Sequence, residues 1–312
     1  IRRHPGSTLL PYTTLFRSNS HGGPNPGATE VLILDEKLSD SDLVALAPAN
    51  PPTIDRGPDP VSATNITWTS PSLGSEEAMP IGNGSLLANI WTEKGGDVRV
   101  SLAHSSNPEG PVRSIGSLRF QLDPSLKTSP DAFRQMLRFN YGEVVVKNIR
   151  EAQGASYSFF VDATRDILHL QFRSTIPVPL KVFLDTKEGN TIAFQGTKRI
   201  FQTNAKDVLV VLCDGMEVKD NHLQAVDPGT AFDLQVHLVP AKENEKPEKV
   251  AEAVAKVDVN GAVTAQIQAW KKFWNRGSIF LRGIENGPEI SRALVLRRYL
   301  SACSGQIGRA HV

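Results

Sequence analysis

Between Ile66 and about Pro240, apolar residues recur in short runs and alternations: LLANIW, VRVSLA, LRFQL, EVVVKNI, YSFFVDA, ILHLQFR, LKVFLD, DVLVVLC and FDLQVHLV. Each is rich in Val, Ile, Leu and Phe, and most are separated by Gly, Pro, Asn or Asp, the pattern of β-strands joined by turns. In FRQMLRF the alternation is strict enough to assign faces: Phe133, Gln135, Leu137 and Phe139 share one side. Asn140-Tyr141-Gly142 then turns the chain back into EVVVKN, and a second hairpin is expected around Thr164–Asp166. So many antiparallel strands without a repeat period predict a mainly β fold, a large two-sheet sandwich.

The pattern changes after about residue 243. EKPEKVAEAVAKV reads as a helical, solvated stretch, and Val263, Ile267, Trp270 and Trp274 form an apolar stripe at helical spacing. The tryptophans read first as a helix packed against something large, with a sugar-stacking platform as the less favoured alternative. SIFLR reads as a short strand, and a last helix from about Pro288 carries Ile290, Ala293, Leu294 and Leu300.

Upstream, TEVLILDEKLSDSDLVALA (29–47) reads as a strand and a helix capped at Ser39 with Asp42. This pairing resembles the closing strand and helix of a laminin-G or concanavalin-like lectin domain. Five prolines between residues 48 and 60 then exclude a helix or an inner strand and mark a linker.

The two ends of the chain have a different signature. PYTTLFRS (11–18) back-translates as CCCTACACGACGCTCTTCCGATCT, and IGRAHV (307–312) as ATCGGAAGAGCACACGTC. The reverse complement of the first segment's last four codons contains the opening bases of the second. Both resemble the forked adapter ligated to DNA before short-read sequencing, so both ends are set aside from fold reasoning.

Lys and Arg total 34 against 33 acidic residues, a formal net charge of +1, which supplies no long-range field for nucleic acid or an anionic membrane. There is no apolar run long enough to span a bilayer. Cys213 and Cys303 suggest no disulfide or zinc framework and read as two buried thiols. No metal cluster, P-loop, serine elbow or dinucleotide fingerprint is present, and no cofactor is implied.

The most informative stretch is WTSPSLGSEEAMPIGNGSLLANIW (68–91). It resembles the N-terminal signature of glycoside hydrolase family 95, with Glu77, Ala78, Pro80, Gly82, Asn83, Gly84, Leu86 and Ala88 in register. It is closer still to an uncharacterised bacterial family of N-terminal domains that precede glycosidase-like (α/α)6 barrels. The later AWKKFWNRGSI and RRYLSACSG extend that likeness. On its own, Gly82-Asn83-Gly84 reads as a tight turn entering a strand. The resemblance implies that this loop faces a helical catalytic domain, which makes Glu77 and Asn83 candidates for the rim of a substrate cleft. One departure stands out. LAHSSNPEG lacks the Trp and acidic pair found there in family 95, so fucosidase-like contacts are not expected; His104 reads first as an exposed loop histidine, with a polar site residue as the alternative.

The resemblance places the acid and base of glycoside chemistry in the barrel, so no catalytic residue is assigned here. The expected organisation is adapter-derived sequence at 1–18 and 306–312, a lectin-like remnant at 19–47, a linker at 48–62, the β-supersandwich at 63–243, and at 244–305 a helical linker with the first helix of a truncated barrel. The implied parent is a secreted or periplasmic bacterial glycoside hydrolase acting on poly- or oligosaccharide. A phosphorylase of the same architecture, or a carbohydrate-binding or adhesion module without hydrolytic activity, is the alternative.

Overall fold

The computed structural model describes Thr14–Ser18, Thr29–Ile33 and, between residues 59 and 304, all but 106–111, 124, 126–130, 151–152, 186–190, 195–198, 204–206, 221, 241–245 and 282. Among the described residues, two antiparallel sheets form the main body. One has nine strands, in spatial order Thr191–Phe194, Arg199–Thr203, Asp207–Cys213, Gly229–Pro240, Ile167–Val178, Gln153–Val161, Glu143–Arg150, Phe133–Arg138 and Ile66–Trp68. The other has seven: Met216–Lys219, His222–Ala225, Leu180–Asp185, Arg113–Leu122, Val98–His104, Leu86–Thr92 and Met79–Gly82. The mainly β sandwich expected from the alternation is therefore present.

Alternation decides which side chains meet between the sheets. In Val98–His104, residues Val98, Val100 and Leu102 are buried, while Arg99, Ser101 and Ala103 face outward. Phe120 of the smaller sheet meets Tyr157 and Phe159 of the larger, at ring distances of 6.2 and 5.6 Å. Phe133, Gln135, Leu137 and Phe139 are all buried, as their shared parity predicts. The polar member of that row is satisfied: Thr92 Oγ1–H donates to Gln135 Oε1 at 2.9 Å, and Gln135 Nε2–H donates to the Ile90 carbonyl at 3.2 Å.

Among the described residues, three helices follow. Helix α1 (Pro247–Val254) is not the solvated stretch expected: it buries Val250, Ala251 and Val254 against Val208 and Val210. Helix α2 (Ala262–Asn275) buries Trp270 and Trp274, but the rest of its buried face is Ala262 and Gln266, while Val263 and Ile267 are exposed. Helix α3 (Gly287–Cys303) buries Val295, Tyr299 and Cys303 and exposes Ile290, Ala293, Leu294 and Leu300, the apolar residues noted on it from the sequence. Both helices carry apolar residues on more than one side, so hydrophobic spacing alone does not choose the face. SIFLR forms no strand among its described residues. No helix among the described residues is long and apolar enough to cross a membrane.

Thr14–Ser18 pairs antiparallel with Thr29–Ile33, Thr14 opposite Ile33, a ladder that the adapter reading gave no reason to expect. It belongs to a separate compact unit that includes Phe280–Ser291. The helix expected after Ser39 and the proline-rich segment from 48 to 58 lie outside the described residues.

Candidate functional site

The PIGNGS loop leaves the edge strand Met79–Gly82 and enters Leu86–Thr92. Asn83 sits at its centre and its side chain makes five hydrogen bonds. Its Nδ2 group donates to the carbonyls of Asp162 and Arg165, both at 3.0 Å, and to Asp166 Oδ1 at 3.4 Å. Its Oδ1 accepts from the Ser85 and Leu86 N–H groups, both at 2.9 Å. The amide thus closes its own turn and clamps the 162–166 hairpin turn of the other sheet.

A polar seam surrounds the clamp. Ser85 Oγ–H donates to Asp166 Oδ2 at 3.0 Å, and Ser85 Oγ itself lies 3.0 Å from His104 Nε2. With the hydroxyl proton on the aspartate side, the imidazole donates through Nε2–H. His104 is therefore not an exposed loop residue: it ends a strand at 3% exposure, because Ser85 and Asp166 give its ring a polar seat between the sheets. Deeper in, Asp162 accepts from Arg165 Nη2 at 2.6 Å and from the Thr164 N–H and hydroxyl at 2.9 Å each. Burial works against the charge of Asp162, but the bonds from Arg165 and Thr164 outweigh it and hold the carboxyl below its usual range. Burial also lowers His169, and it pushes His237 down from 6.5 to about 4, helped by the neighbouring His169 and Arg165.

The same loop receives the end of α3. Gly84 N–H donates to the Cys303 carbonyl at 2.8 Å, and Tyr299 Oη–H donates to the Pro80 carbonyl at 3.0 Å. A Cβ on Gly82 would stand 2.9 Å from the Cys303 carbonyl oxygen, so the helix end fits only against a bare backbone. Helix α2 docks beside it on the Asn140-Tyr141-Gly142 turn. Trp274 Nε1–H donates to the Phe139 carbonyl at 2.9 Å, and Gln266 Nε2–H to that of Tyr141 at 3.1 Å. The Trp270 ring stacks 5.1 Å from that of Tyr299 and covers Gly142, whose φ of +60° and lack of a Cβ make room for the indole.

A family profile described as "Domain of unknown function (DUF5703)", in its N-terminal form, matches residues 67–225. The chain belongs to that family. The DUF5703 match contains the PIGNGS loop, His104 and the 162–166 turn, and it stops before strand Gly229–Pro240 and all three helices. No curated protein matches the sequence. Among solved structures, one described as "Putative kojibiose phosphorylase from human microbiome" aligns at TM-score 0.47 and 9% identity, covering 77% of this chain and 41% of that one. A bacterial glucoamylase complexed with acarbose aligns at TM-score 0.38 and 10% identity, covering 74% and 40%. The DUF5703 chain thus spans about two fifths of the length of either.

Glu77 and Asn83 are not brought together. Six residue steps through Ala78 and the strand Met79–Gly82 separate them, roughly 20 Å if fully extended. Glu77 Oε2 accepts from the Leu73 N–H at 2.7 Å and so closes its own loop. The partners that sequence reasoning missed are Ser85, Asp162 and Asp166. The VDATRD hairpin was legible, but nothing in the sequence ties it to a loop about eighty residues upstream. Among the described residues, no group of three or more His, Cys, Asp or Glu is placed to hold a metal ion.

Proposed function

We propose that the chain is the N-terminal, non-catalytic β-sandwich of a carbohydrate-active enzyme, and that its role is to seat a helical catalytic domain that follows it. The observation that carries this reading is the two-sided character of the docked helices. Helix α3 is held through Tyr299 and the Cys303 carbonyl on the signature loop, yet Leu294 and Leu300 remain exposed on its other sides. Val263 and Ile267 of α2 are likewise exposed. Apolar residues left exposed on helices already anchored to one body offer a surface on which a second body can pack. The likeness of PIGNGS and its flanks to the family 95 signature supports a parent acting on glycosidic bonds.

In this reading the aromatic side of α2 seats the helices on the sandwich, and the opposite sides receive the barrel. Asn83 shapes the cleft by holding the loop rather than by touching sugar, since its amide is already engaged. The acid and base come from the helical domain, and the parent acts by hydrolysis or phosphorolysis.

The test is to read the source locus through residue 305 and express the complete protein. The expected result is a frame that continues into helical repeats with facing Glu and Asp, and a protein that cleaves a neutral oligosaccharide while the present chain alone does not. A stop codon soon after residue 305, or a complete protein that binds glycans without cleaving them, would overturn it in favour of a binding module.

A further inference from the structure

The 162–166 turn holds three parts of the molecule at once. It receives Asn83 from the signature loop. Its Asp166 carboxylate receives Ser85 and lies 3.5 Å from His104 Nε2. Arg165 reaches outward, where Nη1–H donates to the carbonyl of Asp258 at 2.7 Å, in the segment between α1 and α2. If the turn moves, the smaller sheet loses Asn83's outward bonds and the segment between α1 and α2 loses the bond from Arg165.

Beneath this turn lie two further buried histidines. His169 is 7% exposed and His237 3% exposed. His169 Nε2 lies 3.6 Å from Asp162 Oδ2, and its ring stacks on Phe160 at 4.6 Å. His237 Nε2 meets Gln235 Oε1 at 2.9 Å. The charged groups acting on the pair are Asp162 and Arg165, besides each other. Among the described residues, the negative charge that acts on both is the Asp162 carboxylate, which already receives Arg165 Nε–H and Nη2–H.

We propose that the 162–166 turn is an acid-opened latch: proton uptake by His169 and His237 places new positive charge beneath Arg165, releases the turn, and frees the Asp258 segment that leads into α2. The direction follows from linkage. In the closed form the histidines stay neutral, whereas in an opened, hydrated form they take up protons at the ordinary histidine pH. Closure is therefore fully favoured above the ordinary value and weakens as pH falls below it. With His237 at about 4 closed and 6.5 open, that residue alone shifts the equilibrium toward opening by about thirtyfold at pH 5 relative to pH 8. The latch joins parts of this chain to each other, so it stands whether the parent cleaves glycans or only binds them.

The experiment is amide hydrogen exchange on the full chain at pH 7.5 and pH 5, corrected for intrinsic exchange rates. Protection in the 162–166 turn and from Asp258 to the start of α2 is expected to fall by at least about tenfold at pH 5, while Val98–His104 keeps its protection. His237→Gln should remove most of that fall. Because that variant can be destabilised by itself, NMR titration of the wild-type imidazoles supplies a second readout: His237 should remain neutral in the folded chain at pH 5.5. A uniform loss of protection, an unchanged Asp258 segment, full pH dependence in His237→Gln, or a His237 that titrates at the ordinary value would each overturn the latch.

Discussion

Replacing Asn83 separates the two halves of its clamp. In Asn83→Ala the Ser85 and Leu86 N–H groups lose their shared acceptor, and the Asp162 and Arg165 carbonyls lose their shared donor. Each bond contributes about 0.5–1.5 kcal/mol net, and partial hydration of a half-buried site places the total at about 2–4 kcal/mol. For a body of this size that corresponds to a drop in Tm of roughly 5–15 °C. Asn83→Asp keeps the acceptor half but turns a charged oxygen toward two carbonyls and Asp166. Its folded-state pKa should therefore be raised, so its penalty is full at neutral pH and fades as acid protonates the new carboxyl and restores a donor. Urea unfolding of wild type and both variants at several pH values reads all of this. An Asn83→Ala variant within about 0.5 kcal/mol of wild type, or an Asn83→Asp penalty that stays constant with pH, would refute the reasoning.

Gly142→Ala must place a Cβ in the left-handed region and on the Trp270 indole, so it should cost about 2 kcal/mol or more and red-shift tryptophan emission as α2 lifts; unchanged emission would show that the indole does not depend on the bare backbone. Leu294→Glu with Leu300→Glu alters exposed positions, so the isolated wild-type chain should self-associate in light scattering and the double variant should not, at a stability within about 0.5 kcal/mol. A monodisperse wild-type monomer would count against the packing assigned to α3. Burial pushes both thiols, Cys213 and Cys303, up to about 12, so neither should react with a thiol reagent at pH 8 in the native chain and both should react once urea unfolds it.

The central strands were legible because their alternation is imposed by burial on one face. Short outer strands such as Met216–Lys219 and His222–Ala225 were not, since they are short and mix polar with apolar residues. The helices were legible as helices but not as oriented bodies. Gln266 is buried because its amide meets the Tyr141 carbonyl, whereas the more apolar Ile267 faces out. Hydropathy cannot foresee an exchange that one hydrogen bond decides. The signature loop was found through its resemblance, but its partner, the Asp162–Asp166 turn, belongs to another sheet and no local pattern points to it.

The contact between Tyr299 and Pro80 joins residues 219 positions apart. On a ribosome, Pro80 and the glycines beside it emerge early, and nearly all of the two sheets is made before α3 exists. The local hairpins can pair as they appear, while the seat for α3 stays empty until that helix is released. Docking of the helices is then the slow, late event, since its loop must close across most of the chain. A refolding experiment should show the same order, with β-sheet signal recovering first and the burial of Trp270 and Trp274 trailing behind it.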